Sequence, residues 1–156
     1  MRVFTAIILT IMLNCSYASV TMKQAREVLE RLDRVTSTHH LLWRSSSKEV
    51  NAHASWSGIY INQGMLEFLD NEDELAEILG HELGHIHYGD VWQTHYKAME
   101  TRADIYGFNL AKAAGFNACN GAEVMHKFEI VFGNRVNNTH PQNRVRYDTL
   151  EKFCKK

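Results

Sequence analysis

Asn71-Glu72-Asp73-Glu74-Leu75-Ala76-Glu77-Ile78-Leu79-Gly80-His81-Glu82-Leu83-Gly84-His85 is the stretch on which the reading of this chain turns. Asp70 or Asn71 can cap a helix here, and acidic Glu72, Asp73 and Glu74 fill a first turn where the helix dipole favours negative charge. Leu75, Ile78, Leu79 and Leu83 recur at helical spacing, so a helix is expected from Asn71 to about Tyr88. On that helix His81 and His85 stand four residues apart. The spacing rotates them by only about 40° and separates them by about 6 Å along the axis, so both imidazoles can reach one metal ion. Glu82, one position after the first histidine, can approach a metal-bound water from the side without entering the coordination sphere.

A catalytic zinc takes three protein ligands and keeps a further position for water, so a third donor must come from another element. Glu100 is the best candidate. It falls in a second long helix expected from Trp92 to Ala114 and stopped by Gly115, with Asp104 four residues later on the same face. The Gly89-Asp90 turn would let the two helices run back against each other. Asp104 is then placed to accept from a ligand histidine and fix its tautomer. The competing reading makes Glu100 and Asp104 an exposed acidic pair near Lys97 and Arg102.

Outward from these helices, Ala25, Val28, Leu29, Leu32 and Val35 predict an amphipathic helix over Thr21 to Val35. Leu41-Leu42-Trp43, Val50 to Trp56 and Ile59-Tyr60-Ile61 read as three short strands separated by Ser and Gly. A helix is expected over roughly Gly121 to Phe132, and a last one beginning at Pro141, the only proline. Trp43, Trp56 and Trp92 are expected in the core rather than on a substrate platform. His39, His40, His53, His87, His95 and His126 show no spacing for a second metal, and His87 should point away from the ligand face. The fold class is α+β, mostly helical, with a small β-sheet and one helix carrying the metal-binding motif.

The chain has 156 residues, 45% hydrophobic, which suits one domain with a single core, and a formal net charge of -1, which argues against nucleic acid as a partner. Arg2, the apolar run Val3 to Leu13 and the small-x-small group Ser16-Tyr17-Ala18 read as a secretory signal over residues 1–18, cleaved after Ala18, leaving a domain over 19–156. The alternative is a retained anchor, although the apolar run is short for a bilayer span. With Cys15 removed, Cys119 and Cys154 are left either bridged or as two thiols, since sequence does not show how far apart they lie.

The segment Glu100-Thr101-Arg102-Ala103-Asp104, after His81-Glu82-Leu83-Gly84-His85, resembles the Glu-x-x-Ala-Asp element of the gluzincin metallopeptidase family that contains HtpX, BepA and the CAAX prenyl proteases. Asn51-Ala52-His53-Ala54 with Gly58-Ile59-Tyr60-Ile61 is similar to its edge-strand region. Gly64-Met65-Leu66 resembles the turn leading to its active-site helix, and His140-Pro141 with Arg144 its C-terminal His-Pro element. The resemblance covers roughly Asn51 to Leu150.

It implies a zincin-like fold and a zinc-dependent endopeptidase holding one zinc ion per chain on His81, His85 and Glu100. Glu82 would be the general base, Asp104 a supporting residue, and polypeptide the substrate. His140 would stabilise the oxyanion or approach the zinc in a resting state; otherwise it caps the helix at Pro141. Arg144 would support His140 or bind a surface carboxylate, and Asn51 and Ala52 would line an edge strand that pairs with extended substrate. Many members of that family carry membrane helices or a tetratricopeptide-repeat domain, and this sequence shows neither. The expectation is a minimal peptidase acting on exported or misfolded proteins in a periplasmic or secreted space, with peripheral proximity to a membrane also compatible. The alternative is a metal-stabilised binding or holdase protein without proteolytic activity.

Overall fold

The computed structural model describes residues 19–91, 97–133 and 143–155. Helix α1 (Met22–Thr36) opens on a capping box in which the Thr21 hydroxyl accepts from the Gln24 amide and the Gln24 side chain reaches back, and it buries Ala25, Val28, Leu29 and Leu32 as their spacing requires. Three strands follow, β1 (Leu41–Ser45), β2 (Ala52–Ser55) and β3 (Gly58–Asn62), in the order β1-β3-β2. β3 pairs parallel with β1 and antiparallel with β2, which leaves β2 at an edge.

Helix α2 (Gln63–Phe68) occupies the place where sequence gave only a turn around Gly64-Met65-Leu66. Six residues are too few to display a helical period. Burial of Met65, Leu66 and Leu69 holds this one in place. Helix α3 (Glu72–Tyr88) carries the histidine pair, and its Asn71 cap accepts from the Glu74 amide at 2.9 Å. Helix α4 (Lys97–Ala113) follows the expected course, although its expected start at Trp92 lies outside the described residues. Helix α5 (Ala118–Phe132) begins three residues earlier than expected, because Asn117 caps it and Asp73 of α3 receives the Asn117 and Asn120 amides. Helix α6 (Asn143–Cys154) ends the description, and Pro141 lies outside it.

Trp56 departs from expectation. It sits in the turn between β2 and β3 and is 65% exposed, since a two-residue turn cannot fold an indole back over its own hairpin. Trp43 is half-buried and stacks on Tyr60 at 4.6 Å, while Trp92 falls outside the described residues.

α3 is the hub, packing on α1, α4, α5, β2 and β3, and its largest interface is with α4. The two backbones meet over small residues: Gly80 and Gly84 on α3, Ala103 and Gly107 on α4. A Cβ on Gly80 would stand 2.9 Å from the Gly107 Cα, one on Gly84 2.9 Å from the Ala103 Cα, and one on Gly107 2.6 Å from the His81 nitrogen. No side chain separates these helices, so they approach more closely than an ordinary pair. A disulfide joins Cys119 in the first turn of α5 to Cys154 in the last turn of α6. It closes a loop with a sequence separation of 35, worth roughly 4 kcal/mol by loop entropy.

Gly107→Ala should push α4 off α3. We expect a melting temperature about 3–10 °C lower, corresponding to about 1–3 kcal/mol of overpacking, together with weaker metal retention. Thermal unfolding and metal titration of the variant check both effects.

Candidate metal centre

His81 and His85 face each other across one turn of α3, their Nε2 atoms 3.0 Å apart. Glu100, in the first turn of α4, closes the third side, with Oε2 3.5 Å from His81 Nε2 and Oε1 3.3 Å from His85 Nε2. The ligand atoms of all three lie within 4.8 Å of one another, and all three residues are buried. The close approach at Gly84 and Ala103 brings Glu100 this far in.

Behind His81, Asp104 accepts from Nδ1 at 2.8 Å. Burial opposes ionisation of Asp104, but the Arg146 guanidinium and the bond from His81 outweigh it and hold the carboxyl down at about 2. Burial, reinforced by the Arg146 charge, pushes His81 down to about 4, so its imidazole is neutral and carries one proton. Asp104 is an acceptor only, which places that proton on Nδ1 and leaves the Nε2 lone pair facing His85 and Glu100.

Behind His85 stands a second carboxylate, Asp90, with Oδ2 3.5 Å from Nδ1. Gly89, at φ 70, turns the chain so that the Asp90 amide bonds the His85 carbonyl at 2.8 Å. Arg102 pairs with Asp90 in turn, its Nε 3.2 Å from Oδ2. Both histidines thus have a carboxylate on the Nδ1 side and present Nε2 toward the other and toward Glu100. Converging imidazole nitrogens and a carboxylate form a donor set that suits zinc, which takes nitrogen and oxygen ligands tetrahedrally, so the residues fit that ion.

Glu82 is 4% exposed and receives the Ala54 amide of β2. Burial pushes its carboxyl up to about 8; the His85 charge opposes the rise and the Glu100 charge adds to it. A dication among the three candidate ligands would stabilise the carboxylate form.

Asn51 and Ala52 line a cleft that His81 and Glu82 also line. The Asn51 carbonyl already accepts from the Asn62 amide at 3.0 Å. Antiparallel alternation therefore turns the backbone groups of Ala52 and Ala54 outward, as the bond from Ala54 to Glu82 requires. His140 lies outside the described residues. Arg144 is on the surface, with Nε 2.9 Å from Asp148 and Nη1 3.9 Å from Glu129.

The arginine inside is Arg146. Its Nε donates to both Asp104 oxygens at 2.9 and 3.1 Å, and its charge is stabilised there despite burial. Sequence reasoning passed over it, although Leu150, four residues on, marks the buried face of α6. Glu77, one turn before His81, was also missed. It is fully buried, and neither carboxylate oxygen has a hydrogen-bond partner among the described residues. Burial, with Asp104 adding and Arg146 opposing, raises it well above the carboxylate range.

Of the other histidines, His95 lies outside the described residues. His40 bonds Asp33 at 2.6 Å, His53 stacks on Tyr60 at 5.1 Å, and His87 turns away to stack on Tyr106 at 4.6 Å.

Compared with known families, residues 20–99 match the model described as Peptidase family M48. The match covers about half the chain, including His81-Glu82-Leu83-Gly84-His85, and stops one residue before Glu100. No curated protein matches the chain.

Two outcomes follow from the site. Arg146→Met leaves Asp104 without its guanidinium and should weaken zinc affinity about 10–100-fold, read by chelator competition. Glu77→Gln tests the buried acid through its pH dependence. A carboxyl with a raised folded pKa favours the fold below its unfolded value, near 4.3, and loses that contribution as pH rises toward the folded value. The metal-free variant should therefore gain melting temperature relative to wild type between pH 5 and pH 9. A difference that does not change with pH would place the titration elsewhere.

Proposed function

Since the chain belongs to peptidase family M48, we propose that it is a zinc-dependent endopeptidase with a zincin-like active site, cutting polypeptides with Glu82 as general base. The observation that carries this reading is the convergence of His81, His85 and Glu100 beside the buried Glu82, which lines an open cleft. A single zinc ion would be held by the two Nε2 atoms and the Glu100 carboxylate. Bound there, it supplies a Lewis acid that polarises the scissile carbonyl and acidifies a water.

The chain's own residues do the rest. Glu82 takes a proton from the attacking water and returns it to the leaving amine. The Ala54 amide bonded to Glu82 fixes that carboxyl against the sheet edge. Asp104 and Arg146 hold His81 in one tautomer, and Asp90 with Arg102 flanks His85. Substrate lies extended along β2, where the outward backbone groups of Ala52 give it a strand to pair with, and Asn51 lines the approach. His140, by family resemblance, donates to the developing oxyanion.

We place the reaction in a periplasmic or secreted space, on exported or misfolded proteins, after removal of residues 1–18. Support comes from the charge, apolar run and small-x-small group of that segment, and from a disulfide of the kind that persists in oxidising compartments.

Glu82→Gln should keep one zinc per chain and lose about 10²–10⁴-fold in kcat/KM. Metal analysis alongside cleavage of casein or a quenched peptide checks both halves. Undiminished cleavage removes Glu82 from the mechanism. Zinc binding without cleavage by the wild-type protein favours the holdase alternative.

A further inference from the structure

Beside Glu82 and His81 the surface opens into a cleft of about 460 Å³. Its apolar walls are Val50, Met65, Ile78, Phe128 and Phe132, drawn from the segment before the edge strand, α2, α3 and the last turns of α5. The aromatic wall is braced from behind: Phe68 stacks on Phe128 at 5.0 Å and meets Phe132 at 5.6 Å. Lys127 lies over the Phe68 ring and bonds the Phe68 carbonyl. The cations that line the cleft are already engaged, Lys48 with Glu67 at 2.7 Å and the buried Arg146 with Asp104.

Lys48, Glu49, Asn51, Asn143 and Arg146 share the lining, but a side chain entering between the apolar walls meets mostly carbon and sulfur, and a charge carried in there would lose hydration. The occupant is set by continuity: the same cleft includes Ala52 of the edge strand and the catalytic carboxylate. A polypeptide extended along β2 directs alternate side chains to one face, so a residue next to the bond being cut is the one that reaches the cleft.

We propose that this cleft is the specificity pocket, taking a bulky aliphatic or aromatic side chain of the substrate polypeptide next to the scissile bond. The assignment rests on the endopeptidase reading above. It also explains a substrate class: long apolar residues are buried in folded proteins and become available in extended or unfolded chain.

The test uses zinc-loaded Glu82→Gln protein, so that peptides bind without turnover, and a series of blocked hexapeptides, alanine except at one variable position. With Phe or Leu at that position the Kd should be at least about tenfold tighter than with Ala, and Asp and Lys should be weakest. Phe132→Glu, at a half-exposed position on the wall, should abolish the preference for Phe and Leu; Val50→Asp on the opposite lip does the same should the first variant misfold. A Kd indifferent to the variable residue, or a preference intact in both folded cleft variants, overturns the proposal. Parallel cleavage by the protein with Glu82 intact keeps the two readings apart. Tight binding of Phe and Leu peptides without cleavage retains the pocket and rejects the endopeptidase, whereas cleavage blind to the variable residue retains the endopeptidase and rejects the pocket.

Discussion

Direct contact between the backbones of α3 and α4 sets everything else in the site. Glutamate and aspartate are short, and they reach a histidine pair on a neighbouring helix only when the two axes lie close. Gly80, Gly84, Ala103 and Gly107 remove the side chains that would otherwise stand between them. Glu100 and Asp104 then fall one turn apart on the face that looks at His81 and His85, one on the Nε2 side and one on the Nδ1 side. The donor geometry is thus a consequence of helix packing, with no loop needed to deliver a ligand.

This arrangement buries a large amount of charge. Glu77, Glu82, Asp90, Glu100 and Asp104 all lie inside, against one buried guanidinium, that of Arg146, and a partly exposed one, that of Arg102. Burial of carboxylates is costly, and it pushes the carboxyls of Glu77 and Glu82 up from the ordinary carboxylate range. Asp104 escapes because Arg146 and His81 both serve it. A divalent cation shared by Glu100 and the histidines would offset part of the negative charge buried among the described residues. A metal bound there would therefore add to stability as well as supply chemistry.

Much of this was legible in the sequence, and the rest was hidden for identifiable reasons. The histidine spacing, the acidic first turn of α3 and the pairing of Glu100 with Asp104 are local or helix-periodic, and periodicity survives without coordinates. Short elements do not announce themselves, which is why α2 read as a turn. Arg146 could have been found from Leu150 four residues away, yet only the packed molecule shows that α6 lies against α5 and α4 and turns this face inward. Asp90 read as part of a connection between helices. Its role needs the left-handed turn at Gly89, which folds the chain back under His85. Glu77 gave no warning, since a glutamate one turn from a metal-binding motif looks like any exposed helical acid.

The candidate donor set and the proposed pocket draw on different helices. α3 and α4 supply the donor set through their glycine contact, whereas α5 carries Phe128 and Phe132 and α6 carries Arg146. The bond from Cys119 to Cys154 fastens α5 to α6 at the end remote from the cleft, so the aromatic wall and the guanidinium that steadies Asp104 are tied to one another covalently. Asp73 in the first turn of α3 receives the amides that begin α5, which anchors that pair to the helix bearing the histidines. Changes in the length or residues of α5 could reshape the wall while leaving the donor set in place. Changes along the Gly80–Gly107 seam could not, because there the packing and the ligand geometry are the same contact.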